Sequence, residues 1–176
     1  NSGIHTVDLK AENLRVELRP ATEPGSPVRI LFTPIEGRDE VYAEERDGVF
    51  YFRHKMKRKI LGFSFLFRQP EGSSVIILEI PNVFEGSLRV QTSNARIVLA
   101  GLQKLYQTTL INSNAAIRVE DASSTRLSLK SSNSALELMN VGAMELEAVT
   151  SNGHITAAAV NCTSARLGSS NGGLRL

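Results

Sequence analysis

The residue types that most often carry catalysis or bind metals are few in this chain and far apart. His5, His54 and His154 share no spacing that is typical of metal ligands. The single cysteine, Cys162, excludes an internal disulfide and a cysteine-based zinc cluster. No serine lies in a nucleophile-elbow pattern, and the glycine patterns of phosphate and dinucleotide loops are absent. We therefore expect no enzymatic activity, no metal and no cofactor.

The densest local charge is a basic run that contains Arg53, Lys55, Lys57, Arg58 and Lys59. Clustered Lys and Arg suit an anionic lipid, a teichoic-type polymer or nucleic acid, because binding releases counterions. The alternative interpretation is a solvated hairpin tip between two strands. We expect no nucleic acid, because the aromatic residues beside the run alternate as strand residues do and the whole chain carries only +2.

The most regular polar feature is a Ser-Asn pair that recurs through the second half of the chain. Its asparagines are Asn94, Asn114, Asn133, Asn152 and Asn171, with spacings of 20, 19, 19 and 19 residues. Asparagine tolerates the left-handed backbone of a sharp corner, and stacked asparagines hydrogen-bond amide to amide. We predict a structural ladder of these five residues; glycan or metal binding by them is the alternative.

Apolar residues keep the same phase as the asparagines. The positions three residues after each asparagine are Ile97, Ile117, Leu136, Ile155 and Leu174. The alternation has a period of two and is broken by polar corners, which indicates two short strands in each repeat. Equivalent strands of successive repeats would lie side by side in parallel. The pattern predicts an all-β protein with a parallel β-solenoid (β-helix) of about five 19–20-residue turns over residues 87–176.

Residues 1–86 lack the Ser-Asn period and contain short strand patterns separated by turns. One pattern, Val75 to Ile80, is apolar on both faces, which is typical of a central strand. A solenoid exposes an open strand edge at each end and needs a cap. We predict that residues 1–86 form this N-terminal β cap, sandwich-like in character, and share one continuous core with the repeats.

The last repeat stops at Leu176, so that Leu174 and Leu176 occupy core positions of a terminal strand. Such an edge favours end-to-end self-association or contact with a further C-terminal segment. The chain begins Asn1-Ser2-Gly3 rather than with methionine, which suggests a piece of a longer protein.

Part of the repeat resembles a known family. Thr92-Ser93-Asn94, and later Thr150-Ser151-Asn152-Gly153-His154-Ile155, are similar to the T-S-N-G-x-I signature of bacterial putative-adhesin domains, whose function is undetermined. Val75 to Pro81, followed by Leu88-Arg89-Val90, resembles the entry of that family into its repeats. The family's glycine is Ala95, Ala115 or Ser134 in three of the repeats here.

The resemblance implies a β-helical protein of the cell envelope or cell surface, tethered to the membrane through segments outside this chain, with no known catalytic residues. We expect a non-enzymatic binding or scaffold module with a protein or polysaccharide partner. The alternatives are a self-assembling structural β-solenoid and a regulatory module in envelope-stress signalling. An enzyme of the parallel β-helix type, such as a polysaccharide lyase, is the least favoured interpretation.

Overall fold

The computed structural model describes residues 3–23, 25–57 and 75–176. These residues form strands, turns and bends and contain no helix, so the all-β prediction is confirmed for them. The strands are β1 (Thr6–Ala11), β2 (Arg15–Pro20), β3 (Arg29–Leu31), β4 (Asp39–Arg46), β5 (Val49–Met56), β6 (Val75–Ile80), β7 (Ser87–Thr92), β8 (Ile97–Ala100), β9 (Leu105–Asn112), β10 (Ile117–Ser131), β11 (Leu136–Thr150), β12 (Ile155–Ser169) and β13 (Leu174–Arg175).

All of these strands belong to one mixed sheet that curls around a single apolar core. Between residues 87 and 176, every strand pairing that the structure describes is parallel. The antiparallel pairings are β3 with β6 and β4 with β5, in the N-terminal half. The core therefore extends without interruption from the N-terminal strands into the repeats.

Equivalent residues of successive repeats lie beside one another. Ile117 is opposite Leu136, and Leu136 is opposite Ile155, on neighbouring strands, and all three are fully buried. Each side chain of this file packs against its equivalents above and below. A fully buried aliphatic side chain contributes about 1.5–3 kcal/mol, too little to order a repeat alone, so the repeats depend on their neighbours.

The strands are longer than the sequence pattern predicts. β10, β11 and β12 each run for 15 residues where two short strands were expected. Each turns a corner without ending, at Asp121, Asn140 or Ala159, whose φ angles are 49°, 53° and 52°. The prediction of a left-handed backbone at the five Ser-Asn asparagines is wrong, because none of them has a positive φ. The second corner of the repeat uses this conformation instead.

The N-terminal strands are not confined to one end of the stack. β1 lies between β5 and β7, and β2 lies between β6 and β8, with parallel pairing on both sides. β1 thus separates β5 from β7, and β2 separates β6 from β8, so the first two strands lie between later strands of the N-terminal half and the repeats. They carry the same pattern, because Val16 lies opposite Ile97 and Leu18 lies opposite Leu99. The region expected to be a cap therefore contributes a winding to the stack itself.

Two antiparallel strands cover the N-terminal end of the stack. β4 is joined to β5 by Asp47 and Gly48, both with positive φ, a two-residue turn that suits a hairpin. Most of the β4 side chains are charged, which discourages another strand from pairing with it. β3 covers β6, where the buried carboxylate of Glu79 lies 2.9 Å from Arg19 and 3.1 Å from Arg29.

At the opposite end of the stack, the last strand pairs with its neighbour over two residues. β13 pairs with β12 only through Leu174 and Arg175, which lie opposite Ile155 and Thr156. In the part of the chain that the structure describes, the outer edge of β12 from residue 157 to 169 has no partner strand. Leu174 is half exposed, and Leu176 is largely exposed.

Candidate functional site

The five Ser-Asn asparagines are brought together in one exposed file. Each side-chain amide nitrogen donates to the side-chain oxygen of the asparagine in the adjacent winding, over 2.6 Å from Asn114 to Asn94 and 2.8 Å from Asn133 to Asn114. Asn152 and Asn171 continue the file at 2.7 and 2.6 Å. One residue missed by the sequence analysis extends it, because Asn94 donates to Asn13 at 2.5 Å.

Asn13 carried a signal in the sequence. Its buried neighbours Val7 and Leu9, before it, and Val16 and Leu18, after it, have the same offsets as the apolar residues around Asn94. A search for the apolar phase, rather than for the Ser-Asn pair, would have found this sixth member. Most of the side-chain amides in this file hydrogen-bond to one another, and these bonds stabilise the stack.

A second set of polar residues joins two of the corners to the corner beneath them. Thr150, two residues before Asn152, accepts a bond from the backbone N–H of Gly153 and donates to the carbonyl of Ser134, each at 3.2 Å. Ser169 makes the same pair of bonds to Gly172 and Gly153, both at 2.8 Å. Thr150 and Ser169 therefore each satisfy backbone groups of two windings at once.

Close backbone approach explains the glycine of the motif. A Cβ atom on Gly153 would lie 1.9 Å from the carbonyl oxygen of Ser134, and one on Gly172 would lie 1.8 Å from that of Gly153. Neither glycine has a positive φ. The residue after the asparagine is therefore selected for its lack of volume at these two corners, rather than for backbone freedom.

The basic run lies on β5 and in the residues that follow it. Arg53 pairs with Asp8 at 3.1 Å and lies over the ring of Tyr51, and Lys57 lies 3.5 Å from Glu40. Lys55 is exposed and is in register with Glu40 across the hairpin. Arg58 and Lys59 lie outside the described residues. Polyanion contact through this run stays a prediction, and part of its charge is already paired within the fold.

His54, at the centre of the run, points into the protein. Its Nε2 atom is 3.2 Å from Asp39 Oδ1, and both side chains are inaccessible to solvent. Arg38 donates to both carboxylate oxygens of Asp39, at 2.7 and 2.8 Å, and the backbone N–H of Ile35 donates to one of them. The hydrogen bonds from Arg38 hold the pKa of Asp39 well below its usual range. With no access to solvent, this group ties β4 to β5 and is not placed to act on a substrate.

A groove with a largely polar lining lies on the outer face of the stack. It has a volume of about 560 Å³ and crosses β7, β9, β10, β11 and β12, so its length follows the stacking direction. One row along its floor consists of residues in register on successive strands: Arg89, Thr109, Ser128, Glu147 and Arg166. A second row contains Gln107, Arg126, Glu145 and Ser164.

Positive charge predominates in this outer-face groove. Its basic residues are Arg89, Arg126, Lys130 and Arg166, and its acidic residues are Glu145 and Glu147. Glu147 is occupied by Lys130 at 3.0 Å and by Ser128 at 3.0 Å, and the hydrogen bond from Lys130 lowers its pKa. Within the described parts of the chain, the three arginines make no ion pair.

Arg126 is held in place by an aromatic ring. Its guanidinium carbon lies 4.8 Å from the ring centre of Tyr106, and it also donates to the Tyr106 hydroxyl. Arg89 and Arg166 are exposed. Both rows of this groove occupy outward positions, five and seven residues before each asparagine, which neither the Ser-Asn pair nor the apolar phase of the repeat singles out.

The described residues contain no group of three or more His, Cys, Asp or Glu side chains arranged to hold a metal ion. Among the same residues, no helix is long and apolar enough to cross a membrane.

Comparison with known proteins gives a match of fold. No family model matches the chain, and no curated protein matches it. A solved structure, a putative cell adhesion protein from Clostridium sporogenes ATCC 15579, is similar over 99% of this chain and 94% of that chain, with a TM-score of 0.54. The sequence identity is 9%, so the likeness is one of fold.

Proposed function

We propose that this chain is a non-enzymatic binding and scaffold module of the cell envelope or cell surface, whose stacked windings form a β-solenoid of the putative-adhesin type. The observation that carries the proposal is the outer-face groove, which crosses five strands and presents three arginines without an ion-pair partner among the described residues. The fold likeness to a cell adhesion protein supports the same assignment.

The construction of the stack suits a rigid binding surface. The asparagine file joins successive windings, and the Thr150 and Ser169 corner bonds add a second connection between the last of them. The groove lies on strands rather than on loops, so its side chains keep fixed spacings. Because such a surface is already ordered, binding a partner costs less conformational entropy, and more of the contact energy contributes to affinity.

Several of the polar groups that could carry catalysis are committed to other contacts. Glu147 is paired with Lys130, and Arg118 pairs with Glu120 at 2.6 Å and lies 3.8 Å from Glu137. The Asp39–His54 contact is sealed from solvent. Acid–base catalysis needs an accessible group positioned at the reacting atom, and these groups favour a structural or binding role.

The proposal is tested by binding of the chain to envelope polymers. We expect saturable binding of purified, labelled protein to a panel of neutral and acidic envelope polysaccharides, with no release of shortened products. Replacing both Arg126 and Arg166 by Ala should weaken binding. The matched control is Arg175→Ala, which removes the same charge from β13, outside the groove. Absence of binding to every polymer in the panel would refute the proposal.

A second candidate function, self-assembly, is favoured by the open edge of β12. Between Ile155 and Ser169 this strand carries a single charged residue, Arg166, whereas the edge strand β4 at the other end is mostly charged. An edge with so little charge is suited to pairing with a strand of a second copy. The proposed occupant is therefore another molecule of this chain, joined end to end.

Light scattering at increasing concentration tests this second candidate. We expect association that is abolished by Ala158→Lys, which places a charge on the open strand. Met139→Lys is the control, because Met139 is also exposed and lies opposite Ala158 on β11, whose two edges are both paired. A wild-type chain that stays monomeric at the highest concentration contradicts the self-assembly candidate and leaves the groove proposal intact.

A further inference from the structure

We propose that the outer-face groove binds a linear acidic polysaccharide that carries one carboxylate per disaccharide and runs along the stacking direction. This inference rests on the proposed binding function and names the chemical class of the partner. It starts from the three arginines of the groove and from the strands on which they lie.

The arginines occur on alternate strands of the stack. Arg89 is on β7, Arg126 is two strands further along on β10, and Arg166 is two strands beyond that on β12. Neighbouring strands are about 4.8 Å apart, so positive charges recur about every 10 Å along the groove. An extended disaccharide has a similar length, so a chain with one uronate in every second sugar places its carboxylates at this repeat.

Neutral side chains beside the arginines suit sugar hydroxyl groups. Gln107, Thr109, Ser128 and Ser164 line the groove and offer neutral donors and acceptors. Guanidinium groups bind carboxylates through two parallel hydrogen bonds, and Arg126 is already oriented by its contact with Tyr106. Gln107 and Thr109 on β9 separate Arg89 from Arg126. Ser128 and Ser164 lie beside Arg126 and Arg166 on their own strands, so each arginine has a neutral hydrogen-bonding neighbour for the neutral sugar of an alternating polysaccharide. The strand between Arg126 and Arg166 carries Glu145 and Glu147.

Nucleic acid fits the same groove poorly. Each strand of a duplex carries a phosphate about every 3.4 Å, roughly three times as dense as the arginines. Single strands bind through bases stacked on open aromatic rings, and none of the described residues that line this groove is aromatic. The sparse positive charge favours a polymer whose negative charges are equally sparse.

Replacement of Glu145 distinguishes a groove that binds a polyanion from one that has only a structural role. Glu145 lies opposite Arg126 on the next strand, is exposed, and makes no ion pair among the described residues. A bound polyanion would be repelled by this carboxylate. Glu145→Gln is therefore expected to strengthen binding, whereas Arg89→Gln, Arg126→Gln and Arg166→Gln are expected to weaken it.

The experiment measures binding of the whole chain to hyaluronan oligosaccharides, which alternate a uronate with a neutral sugar, by calorimetry at two salt concentrations. The comparison probes are the same oligosaccharides with reduced carboxyl groups, polyglutamate and a single-stranded oligonucleotide. A charge-assisted contact at an exposed site is worth about 1 kcal/mol, so each arginine variant should bind about five-fold more weakly. Glu145→Gln should bind about two- to five-fold more tightly by the same reasoning, and Arg175→Gln should be unchanged.

Folding of each variant is checked by its thermal melt, which should match the wild type because the replaced side chains are on the surface. Binding to the carboxylate oligosaccharide, lost on carboxyl reduction and on raised salt, supports the inference. Equal binding to the reduced oligosaccharide, or tighter binding to polyglutamate or the oligonucleotide, overturns the inference while the binding module itself survives. Loss of all binding to a wider polysaccharide panel overturns the module as well.

Discussion

Replacement of Gly153 by alanine tests whether the corners of the stack are as tightly apposed as the structure shows. The added Cβ would lie 1.9 Å from the carbonyl oxygen of Ser134 and 2.3 Å from its carbonyl carbon. Carbon–oxygen contacts of this kind are normally no shorter than about 3.3 Å. The Cβ would therefore be on the order of 1 Å or more too close to the oxygen, and the two corners would have to separate by a similar distance.

Such a separation strains the interactions that join the two windings. The Thr150 hydroxyl bridges these two corners, and the amides of Asn133 and Asn152 meet at 2.7 Å beside them. Overpacking in a rigid site costs about 1–3 kcal/mol, and partial loss of these bonds brings the expected destabilisation of Gly153→Ala to about 2–3 kcal/mol. For a chain of this size, that corresponds to a fall in melting temperature of roughly 4–12 °C.

Gly142→Ala is the matched control. Gly142 lies in β11, has no positive φ, and a Cβ there would meet only the Ser123 Cβ at 3.5 Å, an ordinary contact. It should be neutral or stabilising by up to about 1 kcal/mol, because alanine restricts the unfolded chain. The assay is urea denaturation followed by circular dichroism. If Gly153→Ala unfolds within about 0.5 kcal/mol of wild type, the corner relaxes freely and the close-approach argument is refuted.

The remaining predictions concern hydrogen bonds and one buried carboxylate. Asn133→Ala removes two hydrogen bonds from the asparagine file, whereas Asn171→Ala removes one. The two variants should therefore be destabilised by about 2 and 1 kcal/mol in the same denaturation assay. Equal effects would argue against a ladder. Thr150→Val leaves buried backbone groups of two corners without a partner and should cost about 1–3 kcal/mol, whereas Thr150→Ser should keep most of the stability. The pKa of Asp39 is lowered in the folded state, so its contribution to the free energy of unfolding is complete above the unfolded-state pKa of about 4 and is lost as the pH falls. Between pH 5 and pH 3, the free energy of unfolding of the wild type should therefore fall by about 1 kcal/mol more than that of Asp39→Asn. Parallel losses in the two proteins would contradict this.

Part of the fold and of the candidate site could be predicted from the sequence because stacking imposes local periodicity. Each winding repeats the environment of the previous one, so Ile117, Leu136 and Ile155 had to be apolar at a constant interval. The same constraint made the asparagines recur. It did not reveal that the left-handed corner lies at Asp121 and Asn140, although both residues are also 19 apart.

The outer-face groove could be predicted from the sequence only in part. The register places Arg89, Ser128 and Arg166 in one outward row once the windings are known to stack. Which of its charges remain unpaired depends on side-chain geometry. Glu147 is satisfied by Lys130, while the three arginines make no ion pair among the described residues, and sequence spacing alone does not distinguish these cases.

The sequence by itself determined the β character, the interval of the repeat and the residues that face the core, because each follows from a period that a short stretch of chain already displays. Only the tertiary structure decided that β1 and β2 enter the stack between later strands. The order of strands in a sheet depends on contacts between distant parts of the chain. Local patterns specify the face that a strand buries, but they do not specify its neighbour.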